Sequence, residues 1–348
     1  MNKVSMCVLF YNHERFVRQA LDGCFNQSID SYDLIIRDDA STDNTQKEIT
    51  DYLASNGFSK GKLIVDLDTT NRGLIPSFNR VLELSEGDII VSQGGDDISM
   101  SKRIERSLDI LERYSVDLIS ADAIVIDSNG TEINNTWYRK QFQNPFGKFG
   151  SSVEGGNCTI IKNPTDFQVY TISYAGFGFA FRKSLLGNGG TFPEGLPFED
   201  FYLTFLANVN NGSAVLYEPL VNYRRHDSNM FRTGFRKLND YVQWRTTWTR
   251  KYIDVVKAQM KYLDQNESRI EKDIAEIRKE LYLSIAFREL DLSVLEVKDL
   301  KERFRKLNRI LFNKSVVPAK KAKSFVKCLF PKYYLRYQFK KSNNLTNN

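Results

Sequence analysis

The sequence predicts an α/β fold, a doubly wound and mostly parallel sheet followed by a helical C-terminal extension. Two observations carry this. Between residue 3 and about residue 100, short apolar runs alternate with segments whose apolar residues recur every three or four positions, the strand–helix–strand pattern of a parallel sheet. From about Leu238 onward only the helical period remains. At 348 residues, 41% hydrophobic and 26% charged, the chain has enough apolar surface for a full core.

In order, Lys3 to Leu9 is a mostly apolar run that suits a central strand. Phe16, Val17, Ala20, Leu21 and Cys24 then mark one face of a helix. Leu34-Ile35-Ile36 is a second strand, and Asp38 to Thr45 is rich in helix-capping types ahead of a helix through Ile49 and Leu53. Leu63-Ile64-Val65 is a third strand, Asn71-Arg72-Gly73 a turn, and Phe78, Val81 and Leu82 a third helix. Ile89 to Val91 is a strand that ends in Gly94-Gly95-Asp96-Asp97. A helix is expected from about Ser101 to Tyr114, with strands at Leu118-Ile119, Ala123 to Ile126, Tyr174 to Phe181 and Ala214 to Tyr217. Residues 131–170 read as a long, irregular, aromatic loop. Ile270, Ile274, Ile277, Leu281 and Ile285 form a helical stripe that could pack within the chain or pair two chains.

The four cysteines show no paired spacing, and the apolar run Val4 to Tyr11 is too short and unflanked for a secretory signal. No window approaches the ~20 apolar residues of a membrane span. A reduced, cytoplasmic protein is expected. Between Asp299 and Lys341 there are 14 Lys and Arg against 2 Asp and Glu, so a basic tail of +12 follows a body of −6. Phe304, Leu307, Ile310, Leu311 and Phe312, then Phe325, Val326, Leu329 and Phe330, lie among these cations. That pattern fits an anionic membrane surface, at the inner face of the cytoplasmic membrane. No nucleic-acid motif accompanies the charge.

Four elements follow predicted strands: Tyr11 to Glu14, Asp38-Asp39, Arg72, and Asp96-Asp97. Ligands of open α/β sheets bind at that edge. Adjacent carboxylates repel unless a cation, a proton or hydrogen bonds compensate. A hard divalent ion bridging to a diphosphate is the simplest compensation. An aromatic face, carboxylates, one cation and metal ligands form an inventory for a nucleoside diphosphate. No G-x-G-x-x-G or P-loop follows a strand, which disfavours a dinucleotide dehydrogenase or a P-loop enzyme.

Over roughly residues 3–230 the sequence resembles the family 2 glycosyltransferases of GT-A fold. The resemblance rests on Tyr11-Asn12-His13-Glu14, on the D-D-x-S-x-D-x-T run from Asp38 to Thr45, on Asn71-Arg72-Gly73 with Asn79, on Gly87-Asp88-Ile89-Ile90, on Glu199-Asp200, and on Tyr223 to His226. It departs where the family often reads D-x-D-D, since Gly94 stands in place of the first Asp. The resemblance implies an inverting transfer from a nucleotide-sugar, UDP-linked, to a lipid-linked or polysaccharide acceptor such as an O-antigen. It assigns the donor nucleotide to Tyr11, Glu14, Asp38, Asp39, Arg72, Asp96 and Asp97. It assigns Mg²⁺ or Mn²⁺ to Asp96, His226 and Asp97, and the catalytic base to Asp200 or Glu199. The expected organisation is a catalytic domain at 1–237, with a nucleotide half to about 100 and an acceptor half beyond. A helical extension at 238–298 and the basic tail at 299–348 follow. A nucleotidyltransferase and a non-catalytic scaffold are the competing readings.

Overall fold

The computed structural model describes residues 2–134, 137, 146–187, 189–229, 235, 237–296, 299–313 and 316–344. It divides into two compact units, Met1–His226 with Ser268–Lys272, and Asp227–Glu267 with Asp273–Asn348.

The first unit is built on one sheet. Its strands are β1 (Val4–Phe10), β2 (Asp33–Asp38), β3 (Leu63–Leu67), β4 (Ile89–Gly94), β5 (Ile98–Ser99), β6 (Leu118–Ile126), β7 (Glu132–Asn134), β8 (Ser151–Val153), β9 (Cys158–Ile161), β10 (Phe179–Arg182) and β11 (Ser213–Arg224). The order is β3-β2-β1-β4-β10-β6-β11-β9-β8, with β5 on β11 and β7 on β6. β3, β2, β1 and β4 are mutually parallel, and β10 enters antiparallel between β4 and β6. Helices α1 (Val17–Phe25), α2 (Thr45–Ser55), α3 (Leu74–Leu84), α4 (Arg103–Arg113) and α5 (Asp200–Val209) accompany the strands. Val17, Ala20, Leu21 and Cys24 of α1 are buried in the same core as Met6, Val8 and Ile36. Each valine, leucine, isoleucine or methionine among these that is removed from water is worth about 1.5–3 kcal/mol.

Three expectations need correction. The two strands expected at 118–126 are one, because buried Ser120 and Asp122 stay in the ladder instead of breaking it. The strand expected from Tyr174 starts only at Phe179, since Gly176–Gly178 is a 3₁₀ turn. A Cβ at Gly178 would stand 2.3 Å from the Ala121 carbonyl oxygen, so the turn needs a glycine there. The segment 131–170 is not one long loop: β7, β8 and β9 lie in it, while residues 135, 136 and 138–145 fall outside the described residues.

The second unit is helical, with α6 (Leu238–Asn266), α7 (Ile274–Leu295), α8 (Leu300–Leu311), α9 (Pro318–Leu329) and α10 (Pro331–Asn344). Leu283, Ala286 and Leu290 of α7 pack with Leu307 and Ile310 of α8 and with Val316 and Cys328, and Phe304 and Leu311 border that cluster. These α8 residues, expected toward a lipid surface, instead make the unit's core. Of the isoleucine stripe, Ile277 and Leu281 are buried and Ile270 precedes the helix. Among the described residues no helix is long and apolar enough to cross a membrane.

Candidate active site

Parallel pairing continues past the strand ends and brings the loops together. Asp39 donates its N–H to the Phe10 carbonyl at 3.0 Å, Asp68 to Asp38 at 3.0 Å, and Gly95 to Leu9 at 2.7 Å. The residues after β1, β2, β3 and β4 therefore share one carboxyl edge. Asn12 and Ala40 hold positive φ angles of 57° and 58° as the chain turns off β1 and β2, which costs strain that functional edges often store.

At the β2 side the carboxylates are already engaged. Asp38 accepts from Ser41 N–H at 2.9 Å, from Gln46 Nε2 at 2.6 Å, and from the Ser41 hydroxyl. Asp39 accepts from the N–H groups of Arg72 and Gly73, at 3.0 and 2.8 Å, and from Ser77 Oγ at 2.6 Å. It thus fixes the turn that opens α3 and retains about one of a carboxylate's four acceptor positions. Glu14 is turned to its neighbour loop, accepting from Asn44 N–H and Nδ2, both at 2.9 Å. Tyr11 is 43% exposed. The Arg72 guanidinium is exposed and bonds Asp68 at 2.8 Å. Arg37, buried beneath, bonds Asp66 at 2.5 Å and Asp68 at 2.6 Å. These Arg contacts hold the Asp68 carboxyl well below the usual range. Arg37 and Asp68 were not foreseen. An Arg directly after the predicted strand Leu34-Ile35-Ile36, ahead of two acids, is the signal that was available.

At the β4 side, two histidines meet Asp96. His226 Nε2 lies 3.0 Å from Asp96 Oδ2, and His13 Nε2 lies 4.0 Å from the same oxygen. They are the only histidines in the chain. The antiparallel pair β5–β11 matches Ile98 with Asn222, and this carries the end of β11 to the Asp96 loop. Arg224 fixes it there. It donates its own N–H to Asp97 Oδ1 at 2.9 Å, Nε to the Asp96 carbonyl at 2.8 Å, and Nη2 to Gln19 at 2.6 Å. Its guanidinium also sits 4.7 Å from the Phe16 ring centroid. Asp97 is buried and faces this backbone contact.

The two acids differ in charge preference. Burial works against ionisation of Asp96, but the His226 hydrogen bond and the nearby His13 outweigh it and hold the carboxyl below its ordinary value. Burial, then the Asp96 charge, push Asp97 well up. Burial pushes His13 down, against the pull of Asp96.

Glycine at 94 and 95 has a direct cause. A Cβ at 95 would stand 2.2 Å from Phe10 Cδ1 and 2.8 Å from the Leu9 carbonyl oxygen. A Cβ at 94 would stand 2.7 Å from Asp96 Oδ1. Asp96 therefore occupies the space where a side chain at 94 would begin. Among the described residues no group of three or more His, Cys, Asp and Glu is arranged to hold an ion. The Asp96–His226 pair, a carboxylate oxygen beside an imidazole nitrogen, would suit a divalent cation. Asp97, aimed at Arg224, is not presented for that purpose.

The second acid pair opens α5. A Cβ at Gly176 would lie 3.3 Å from both Asp200 Cβ and Glu199 Oε1, so the turn before β10 backs directly onto the pair. Because β10 runs antiparallel to β4, pairing Ala180 with Val91, this turn lies at the same carboxyl edge as Asp96. Buried Arg103 ties the two, bonding the Ser92 and Phe177 carbonyls. Asp200 accepts from the Phe201 N–H at 2.7 Å, and among the described residues neither Glu199 nor Asp200 has an ion-pair partner. Burial, then Glu199, push Asp200 up to about 7, and burial raises Glu199.

Residues 5–179 match the model of Glycosyl transferase family 2. EpsE of Bacillus subtilis, which carries a glycosyltransferase name, is 34% identical over 129 residues, 37% of this chain and 45% of its own length. The chain thus spans about half the length of the first curated relatives it matches. The dTDP-rhamnosyl transferase RfbG of Shigella flexneri is 24% identical over 255 residues, 70% of this chain and 81% of RfbG. Among solved structures, S. aureus TarS 1–349 in complex with UDP-GlcNAc aligns at a TM-score of 0.57 with 18% identity, over 98% of this chain and 89% of that one. The mannosyltransferase PcManGT of Pyrobaculum calidifontis, in complex with GDP-Man and Mn²⁺, gives 0.57 and 16% over 97% and 83%. The match across half the chain, on a GT-A-like sheet with a C-terminal helical region, makes this chain a member of glycosyl transferase family 2.

Proposed function

We propose that the chain transfers a sugar, with inversion, from a UDP-sugar to a hydroxyl of a lipid-linked glycan during bacterial surface polysaccharide assembly. It would do so at the inner face of the cytoplasmic membrane. The observation that carries the reaction type is Asp200, a half-buried carboxyl at the sheet's carboxyl edge with no cation partner among the described residues, which burial and Glu199 push up to about 7. Such a group is matched to proton abstraction near neutral pH. It takes the acceptor hydroxyl proton as that oxygen attacks the anomeric carbon. Glu199 keeps it poised through its adjacent charge. One base without an enzyme nucleophile gives a single displacement, hence inversion.

Tyr11 offers its exposed ring to the nucleobase, and the remaining acceptor capacity of Asp39 serves the base edge. Asp38 and Glu14 hold the loop that frames it. Arg72 reaches the base or the diphosphate by exchanging its Asp68 contact. Asp96 and His226 would hold Mg²⁺ or Mn²⁺, with Asp97 and Arg224 fixing the loop behind them. Such an ion would supply charge compensation for the leaving diphosphate. TarS with UDP-GlcNAc supports a uridine donor, and the dTDP-rhamnosyl transferase RfbG supports transfer from a nucleotide-sugar. Residues 1–100 form the nucleotide half and 101–237 the acceptor half, followed by the extension 238–298 and the tail 299–348. The test is the anomeric configuration of product made from an α-linked donor, read by NMR coupling constants. A β-linked product is expected, and an α-linked one overturns the single displacement.

A further inference from the structure

We propose that the outer surface of α9 and α10, with the corners that flank them, is a docking face for an anionic lipid bilayer. It deepens the reading of a lipid-linked acceptor but stands on separate observations. The inner sides of these helices are spent: Cys328 packs with α7 and α8 residues, and Leu335 packs with Val294 and Leu295. What remains outside is unusually apolar. Phe312 at the end of α8 is 83% exposed, Phe330 between α9 and α10 is 59%, and Tyr333 is 71%. On α10, Tyr333 and Tyr337 are four residues apart, with Arg336 and Lys340 on the same side, opposite buried Leu335.

Charge selects the occupant. From Val316 to Asn344 there are eight Lys and Arg and no Asp or Glu. Only Lys327 among them is buried, paired with Asp291 at 2.5 Å. A second copy of this face would bring cation against cation, so self-association is disfavoured. Phenylalanines at helix corners, tyrosines in a stripe and flanking lysines suit a bilayer interface, where rings enter the headgroup layer and cations meet anionic lipid.

The test is flotation of the full chain with vesicles of phosphatidylcholine alone, and of phosphatidylcholine with phosphatidylglycerol at about 3:1. Binding only to the anionic vesicles, weakened by salt, is expected. Lys332→Gln with Lys340→Gln should weaken it about fivefold per cation removed. Phe330→Ser with Tyr333→Ser should abolish it. All sites are exposed, and circular dichroism together with UDP titration shows whether each variant is folded. Equal binding to both vesicle types, no binding by the wild type, or binding untouched in both variants overturns the proposal. So does a concentration-dependent rise in mass, lost in Phe330→Ser, without vesicle binding, which would assign the face to a second copy. UDP binding is read independently, so loss of the membrane face leaves the sugar-transfer reading standing.

Discussion

Two of the adjacent acid pairs at the sheet's carboxyl edge, Asp96-Asp97 and Glu199-Asp200, have surroundings that give them opposite characters. Asp96 is met by two imidazoles and is held charged, while Asp97 behind it is pushed toward the neutral form. Glu199 and Asp200 have no ion-pair partner among the described residues, and both are pushed up. The same dipeptide signal therefore yields a carboxylate held charged in one place and a pair pushed toward the protonated form in the other. The deciding variable is the imidazole brought by distant chain, His226 from just past β11 and His13 from just past β1.

The comparison can be broken at either pair. The largest effect is expected from Asp96→Asn, which should abolish divalent-dependent nucleotide binding and reduce transfer by a factor of about 10³ or more, measured by titration with and without EDTA and by product formation. Next is Asp200→Asn. It should reduce turnover about 10²–10⁴-fold with nucleotide affinity unchanged, and Glu199→Gln should cost far less. Turnover of the wild type should rise with pH through about 7 as Asp200 loses its proton, and Glu199→Gln should move that limb lower by removing the adjacent charge.

A third effect lies in stability. Gly95→Ala places a Cβ against Phe10 and the Leu9 carbonyl and should cost about 1–3 kcal/mol by overpacking, read from denaturant midpoints. The smallest effect has the opposite sign. Asp200 has a folded pKa above its unfolded one, so its contribution is fully present below about pH 4 and is lost as pH rises through about 7. Asp200→Asn should therefore stabilise the protein at pH 8, by on the order of 1–2 kcal/mol after discounting for partial exposure. The gain should vanish toward pH 4. A variant that loses turnover while gaining stability is the signature of a strained functional acid.

The parallel half of the sheet was legible because each strand is a short apolar run followed by glycine or capping residues, as at Ile89 to Gly95. β6 and β10 were not, because Ser120 and Asp122 look like breakers and Gly178 looks like strand until Ala121 is seen against it. The edge residues Asp39 and Asp96 were visible from their position after strands. His13, Arg224 and Asp68 were not singled out, since their meaning depends on which loops meet. The tail misled in part: spacing reveals an amphipathic face but not what it touches, and α8 turns that face to the core.

The most direct measurement is isothermal titration of UDP, with Mn²⁺ and with EDTA, into wild type, Asp96→Asn and Asp200→Asn. The account predicts that Mn²⁺-dependent binding is lost in Asp96→Asn and kept in Asp200→Asn. Loss of binding in Asp200→Asn, or full Mn²⁺-dependent binding in Asp96→Asn, would contradict the division of labour between the two acid pairs.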